Sequence, residues 1–260
     1  MRDWRLHQRL IVRGAKLLLL FTALNVGLYF LALGPEAVGR FAGNVEAIYL
    51  AADGRVASFQ VLASIGYLLF LAPLLLVIGS LNRWVLPALA LALLMFCAVM
   101  EGRGAVGYHL RMISTGIIGT AFGLLPLARV TGFARQWFIV VPLYCVYRTG
   151  SYFIGEPYAM QLTGVVTGLL VLYCLALHLS GKDYIYRQIV LLGRYSLFGY
   201  IVQLALLQVI VRAFGPFETP LAVAILATVT LAATWAVTLL IHRLRPKARF
   251  VDLTYKAAFA

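Results

Sequence analysis

Residues Phe59 to Ser80 read F-Q-V-L-A-S-I-G-Y-L-L-F-L-A-P-L-L-L-V-I-G-S, with no charged side chain anywhere in the run. As a helix rising 1.5 Å per residue, such a stretch covers about 33 Å, and the hydrocarbon core of a bilayer is about 30 Å thick. The run is therefore long enough to cross a membrane once. Its apolar residues do not alternate with polar ones, so it does not have the pattern of a half-buried strand.

Working outward, comparable runs lie at Leu17 to Leu33, Trp84 to Met100, Met112 to Leu127, Trp137 to Ile154, Ala159 to Leu179, Leu191 to Val211 and Pro220 to His242. The expected fold class is all-α, a polytopic transmembrane helical bundle of about eight spans forming a single domain over 1–260. The 260 residues are 63% hydrophobic and 12% charged, with a mean hydropathy of +0.93. A soluble globular chain carries about a quarter charged residues, so a water-soluble enzyme is excluded as the default reading.

The formal charge of +13 raises the question of nucleic acid, but the cations sit between apolar spans and not along one soluble face. Topology accounts for them, and no nucleic-acid partner is expected. With the N-terminus in the cytoplasm, the inner segments hold Arg2, Arg5, Arg9, Arg13 and Lys16, then Arg83, then Arg129 and Arg135, then Lys182, Arg187 and Arg194, and finally Arg243, Arg245, Lys247, Arg249 and Lys256. The outer segments hold Arg40, Arg55, Arg103 and Arg111 against Glu36, Glu46, Asp53, Glu101, Glu156 and Glu218. This asymmetry follows the positive-inside rule and gives an even number of spans with both termini inside. Residues 1–16 are then a cytoplasmic basic segment, 243–260 a cytoplasmic basic tail, and the expected location is a bacterial inner membrane. Met1 to Lys16 is basic, and the apolar run after it is too long for the core of a cleavable signal, so the first span is expected to remain as an anchor.

Residues 34–58 form the longest stretch between spans. Val38, Phe41, Val45, Ile48 and Tyr49 recur there at helical spacing, as in an interfacial helix on the outer leaflet; a partly ordered loop is the alternative. Cys97, Cys145 and Cys174 lie inside apolar runs with no C-x-x-C pairing, so they read as small core residues and no metal site is expected. Gly119 with Gly123, and Gly164 with Gly168, read as small-residue ridges that let helix backbones approach in lipid.

Ionisable groups at membrane depth are costly and mark candidate sites or buried pairs. Arg148 stands within its span, and Tyr144, Tyr152 and Glu156 continue its face at four-residue spacing. An arginine framed by tyrosines suits an anionic or sugar-like ligand; a structural arginine that snorkels or pairs with Glu101 or Glu156 is the alternative. On the same outer side fall Glu101, Arg103, His109 and Arg111, and His109 is the only outer histidine. Beside carboxylates it suits a general base, although a solvated loop histidine is the commoner case. Ser196, Tyr200 and Gln203 form a polar stripe on the seventh span that lines a cavity or bonds to neighbouring helices. Arg5, Arg9 and Arg13, four apart, suit phosphates such as those of acyl-CoA, or equally an anionic-lipid anchor.

The segments R-L-H-Q-R-L-I-V-R-G-A-K-L-L-L-L-F, F-Q-V-L-A-S-I-G-Y-L-L-F-L-A-P-L-L-L and L-L-G-R-Y-S-L-F-G-Y-I-V-Q-L-A-L-L-Q resemble bacterial integral-membrane acyltransferases of the acyltransferase-3 type and their glucan-modifying and heparan-glucosaminide relatives. The resemblance implies transfer of an acyl group from a cytoplasmic donor, often acyl-CoA, to a hydroxyl or amine of a glycan or lipid acceptor. It implies donor-side roles for Arg9 and Arg13, and it matches Arg194, Ser196 and Tyr200 to the family's late-helix motif. The family's first helix ends in a catalytic histidine, and no such helix precedes the arginine row here. His7 lies too near the terminus to replace it. The expectation is therefore either a chain lacking two N-terminal helices or a degenerate relative that binds without acylating.

The sequence thus points to an acyltransferase-like inner-membrane protein with His109, Glu101 and Arg148 as catalytic candidates and acyl-CoA as donor substrate, with no bound cofactor. A small-molecule or lipid-linked glycan transporter and a non-catalytic membrane subunit are the alternatives.

Overall fold

The computed structural model describes residues 2–34, 36–51, 58–82, 84–101, 107–123, 125–155, 157–178, 184–215 and 219–259. Of the residues singled out above, Arg83, Lys182, Asp53, Arg55, Arg103, Glu156 and Glu218 lie outside this set. Everything described is helix, turn or short connection, without a strand. The helices group into two compact units, Met1–Leu179 and Ser180–Ala260.

Six of the eight apolar runs fall on one helix each, whereas Met112 to Leu127 runs from the helix Tyr108–Gly123 to the start of Leu127–Ala134, and Leu191 to Val211 is divided between Tyr184–Arg194 and Ser196–Phe214. Among the described residues, five helices are long and apolar enough to cross a membrane, or up to six if Tyr108–Gly123 and Leu127–Ala134, which meet at a sharp bend, make one span. Val85–Glu101 is apolar but shorter, at 17 residues. Large apolar side chains such as Leu19, Val146 and Leu172 stand well exposed, the surface expected where the solvent is lipid. The chain is a multi-pass membrane protein.

In the first unit, α1 (Arg2–Leu33) runs antiparallel to α3 (Gln60–Leu81): Asn25 meets Ser58, while Gly14 meets Gly66 and Phe70. At that crossing a methyl group added to Gly14 would stand 2.9 Å from the Gly66 carbonyl oxygen, so the two backbones touch directly. Between α1 and α3 lie α2 (Glu36–Gly43) and a π-helical turn, Ala47–Ala51. Phe41 and Ile48 are buried, Phe41 lies edge-on to Tyr29 and Tyr49 edge-on to Phe21, whereas Val45 and Leu50 are exposed. One side of this helical spacing thus makes contact with α1.

The start of α3 is fixed by a buried amide. Asn25 Nδ2 donates to the carbonyl oxygens of Phe21 at 2.9 Å and Ser58 at 2.8 Å, and the Ser58 N–H donates to Asn25 Oδ1 at 2.7 Å. The next residue, Phe59, is buried in a left-handed conformation, φ 59°, which costs a non-glycine residue about 1–3 kcal/mol. Asn25 holds the backbone against that strain. Replacing Asn25 by Ala is expected to destabilise the first unit by about 2–4 kcal/mol, combining the buried Ser58 groups left unpaired with loss of this restraint. Unfolding in detergent, followed by helix signal, measures it, and a change below about 0.5 kcal/mol would show that the clamp is idle.

The remaining helices of the unit are α4 (Val85–Glu101), α5 (Tyr108–Gly123), α6 (Leu127–Ala134), α7 (Trp137–Ile154) and α8 (Tyr158–His178). Leu75, Leu86, Ala90, Ile117, Ile118 and Leu162 form the apolar core shared by α3, α4, α5 and α8. Gly116 admits the Leu68 side chain, and Gly164 admits the Tyr147 ring. Gly164 and Gly168 therefore serve packing of α7 on α8, as their spacing suggested. Gly119 and Gly123 do not, because a methyl group at either would meet nothing within 4 Å. Gly119 instead lines an apolar cavity of about 400 Å³ bordered by α5, α6 and α8. Cys97 and Cys174 are buried, but Cys145 is exposed, since α7 turns other residues toward α8.

The second unit comprises α9 (Tyr184–Arg194), α10 (Ser196–Phe214), α11 (Pro220–Leu244) and α12 (Arg249–Phe259). Thr219 caps α11, its hydroxyl accepting from the Ala222 N–H at 3.3 Å, and Pro220 occupies the first turn, where a missing N–H is harmless. Gly199 of α10 abuts Thr234 and Thr238, which with Thr230 make a buried stripe at four-residue spacing on α11. Trp235 donates its indole N–H to Gln188 Oε1 at 3.1 Å, tying α11 to α9.

Candidate functional site

The polar residues of the first unit collect at one end, where α1 and α4 finish and α3, α5 and α8 begin. The π turn and the first turn of α5 bring His109 into this cluster. His109 is buried, contrary to the solvated loop position common for such a residue, and its Nδ1 lies 2.8 Å from Ser64 Oγ. Ser64 is itself buried, and its hydroxyl is also 3.3 Å from the Gln60 carbonyl. The Tyr67 ring packs edge-on against the imidazole, and its hydroxyl donates to the Tyr49 carbonyl at 2.8 Å. Thr22 and Tyr49 complete this side by sharing a short hydroxyl–hydroxyl hydrogen bond.

The second nitrogen of His109 is the distinctive feature. Nε2 is buried and has no hydrogen-bond partner among the described residues. The same holds for the Gln60 side-chain amide nitrogen. A buried polar atom left unpaired costs about 1–3 kcal/mol, and such groups point to a place where another polar molecule sits. Gln60, Ser64 and Tyr67 follow one another at four and three residues, which places them on the same face of α3.

Glu101 and Arg111 form a neighbouring arrangement. Arg111 Nη1 lies 3.1 Å from Glu101 Oε1, and Glu101 Oε2 accepts the Tyr158 backbone N–H at 2.7 Å. The carboxylate thus ties the end of α4 to α5 and caps the first turn of α8, where a negative charge meets the positive end of the helix dipole. The buried Tyr158 hydroxyl donates to Ser114 Oγ at 2.8 Å, fixing the α5–α8 contact. Arg111, ten residues along the chain, is an ion partner of Glu101, and the close return of α5 on α4 brings the pair together.

Arg148 stands apart on α7. It borders an open surface hollow with Ser151 and Tyr152, and Tyr152 is 85% exposed. Tyr144 is half-buried, with its ring near Gly168 and tilted against Tyr147. His109 and Glu101 therefore lie at the polar end of the unit, whereas Arg148, Tyr144 and Tyr152 form a separate surface on α7. Glu156 lies outside the described residues. Arg9 and Arg13 are exposed on the first turns of α1, in a row beyond the buried Gly14.

In the second unit, Arg194 ends α9 and lines an open cavity, Ser196 and Gln203 are exposed, and Tyr200 is half-buried. On the same helix as Ser196, Tyr200 and Gln203, Gly199 meets Thr234 and Thr238 of α11. Sequence reading passed over Tyr195, which is buried. Arg245 Nη1 donates to the Tyr195 hydroxyl at 3.1 Å, and that hydroxyl lies 3.2 Å from His242 Nδ1. Arg245 also donates twice to Asp252 Oδ1, at 3.0 and 2.8 Å, and lies 4.1 Å from the Tyr255 ring centroid. Lys256 Nζ takes the other carboxylate oxygen at 2.6 Å.

The hydrogen bonds from Lys256 and then Arg245 hold the Asp252 carboxyl below the usual carboxylate range. A depressed folded-state pKa stabilises above the unfolded value, about 3.9, and that contribution is lost as pH falls through the folded value. Docking of α12 is thus expected to be constant from pH 7 to about 5 and to loosen below about 4. Hydrogen exchange of α12 amides against pH measures this, and in Asp252→Asn the acid dependence should vanish. An unchanged acid profile in that variant would assign it to another group.

No protein-family model matches the chain, and no curated protein or solved structure matches it either.

Proposed function

We propose that the protein is an acyltransferase-like enzyme of the bacterial inner membrane, with eight spans and both termini cytoplasmic. In this reading it passes an acyl group from a thioester donor such as acyl-CoA to a hydroxyl of a cell-surface glycan or lipid. The observation that carries the reading is the buried His109, whose Nδ1 is engaged by Ser64 while Nε2 has no partner among the described residues. With the Nδ1 proton directed at Ser64, Nε2 presents a lone pair, the form a general base requires.

The step assigned to this centre is direct transfer. The acceptor hydroxyl oxygen attacks the thioester carbonyl carbon as Nε2 takes its proton. The new carbon–oxygen bond forms, the carbon–sulfur bond breaks, and the imidazolium returns the proton to the thiolate. The unpartnered Gln60 amide N–H supports the reading, as a donor suited to the oxygen of the tetrahedral intermediate. Ser64 acts as a positioning residue through the imidazole.

The test is reconstitution of the full chain in lipid nanodiscs with acyl-CoA and surface glycans or lipids from the host envelope. Thiol release and acyl ester formation are followed together. Transfer that requires both donor and protein is the expected result. Absence of thiol release, together with identical envelope acylation in cells with and without the gene, would overturn the reading.

A further inference from the structure

We propose that the basic cavity of the second unit, where α9 and α11 end and α12 begins, is a binding site for a phosphate group. The proposal does not depend on the acyl-transfer reading. The cavity has a volume of about 620 Å³, and its lining includes Arg194, His242, Arg245, Lys247, Arg249 and Asp252. Among the described residues Asp252 is the one carboxylate lining it, against four permanent cations, and both of its oxygens are already engaged by Arg245 and Lys256. Arg194, Lys247 and Arg249 thus bring to the cavity a positive charge that its own carboxylate does not balance.

The arrangement is organised and not merely basic. Arg245 is immobilised by Asp252, the Tyr195 hydroxyl and the face of Tyr255, and Tyr195 in turn is tied to His242. This frame fixes the cavity wall, while Arg194 arrives from the end of α9, Lys247 from the turn before α12 and Arg249 from the first residue of α12. Holding several like charges together is unfavourable unless an anion joins them. A tetrahedral phosphate with two or more accepting oxygens fits cations converging from different elements, and arginine forks match its geometry. The phosphate has two conceivable sources, a soluble phosphorylated molecule or the headgroup of an anionic lipid, and the chemistry of recognition is the same for both.

The experiment uses the full chain and the double variant Arg194→Gln/Lys247→Gln, whose side chains are exposed and absent from the Arg245 frame. In zwitterionic phosphatidylcholine nanodiscs, inorganic phosphate and pyrophosphate are titrated by calorimetry. In a parallel arm, retention of phosphatidic acid over phosphatidylcholine is measured by native mass spectrometry. Binding of the free anion, weakened about 10-fold or more in the variant, supports the site with a soluble ligand. Retention of phosphatidic acid without free-anion binding, lost in the variant, supports it with a lipid ligand. Absence of both in the parent chain, or binding that survives the double substitution in a variant with unchanged helix content, overturns it. Because neither arm uses a thioester or measures acyl transfer, failure here leaves the His109 reading untouched, and the converse also holds.

Discussion

Replacing His109 by Gln is expected to lower acyl transfer by about 10²-fold or more, the contribution of a well-placed general base. Glutamine retains an amide able to bond Ser64 Oγ and approximates the volume of imidazole, so the buried cluster keeps its packing. It has no lone pair basic enough to accept the acceptor proton. Thiol release under saturating acyl-CoA therefore falls in kcat, with the donor KM little changed, because the group acts in the transition state and not in donor binding. Ser64→Ala, which loosens the imidazole without removing it, is expected to cost about 10-fold, less than the base itself. Transfer by the His109→Gln protein within about two-fold of the parent would remove His109 from the chemistry and leave it as a packing residue.

The second large effect is structural. Leucine in place of Gly14 is expected to destabilise the first unit by about 3 kcal/mol, the upper range for overpacking a tight contact. The first added carbon already lies 2.9 Å from the Gly66 carbonyl oxygen and 3.4 Å from Leu69 and Phe70. A backbone oxygen cannot rotate away, so α1 and α3 must separate along their contact, and the Asn25–Ser58 hydrogen bonds farther along the same pair loosen with them. Gly119→Ala is the internal control: nothing lies within 4 Å, and helix propensity makes the change neutral or stabilising by up to about 1 kcal/mol. Thermal unfolding of both variants in one detergent decides the matter. Equal midpoints would show that the α1–α3 crossing is loose.

Much of the helical layout was legible because each transmembrane run must satisfy its own backbone and shield it with apolar side chains, a demand visible over twenty residues of sequence. The pairing of helices was less legible. Gly119–Gly123 and Gly164–Gly168 share one spacing, yet only the second pair receives side chains, because Tyr144 and Tyr147 of the antiparallel neighbour happen to face it. Such a choice depends on the partner and not on the motif.

The site shows the same division. His109 was visible as the sole histidine at its end of the bundle, but its burial depends on Ser64, forty-five positions earlier in the chain and on another helix. Gln60, Ser64 and Asn25 did carry a signal: uncharged polar residues within or at the edge of apolar runs. That signal is weaker than the one ionisable groups give, because an uncharged amide or hydroxyl costs less at membrane depth and commonly bonds a neighbouring helix. The threonines at 230, 234 and 238 carried a similar one, a four-residue period that marks the buried side of α11. Tyr195 offered least, since one aromatic residue between two helices does not announce that arginine, histidine and a second tyrosine will converge on it.

The hydrogen bond from Trp235 to Gln188 supplies the molecule with an optical gauge of its own. Residues 180–260 contain no other indole, and the remaining three stand at Trp4, Trp84 and Trp137. With those three changed to phenylalanine, indole emission from the protein comes from a single ring whose N–H is held by one amide oxygen on α9. Detachment of α9 from α11 then becomes readable in real time as a change in the colour and lifetime of fluorescence, without any attached dye.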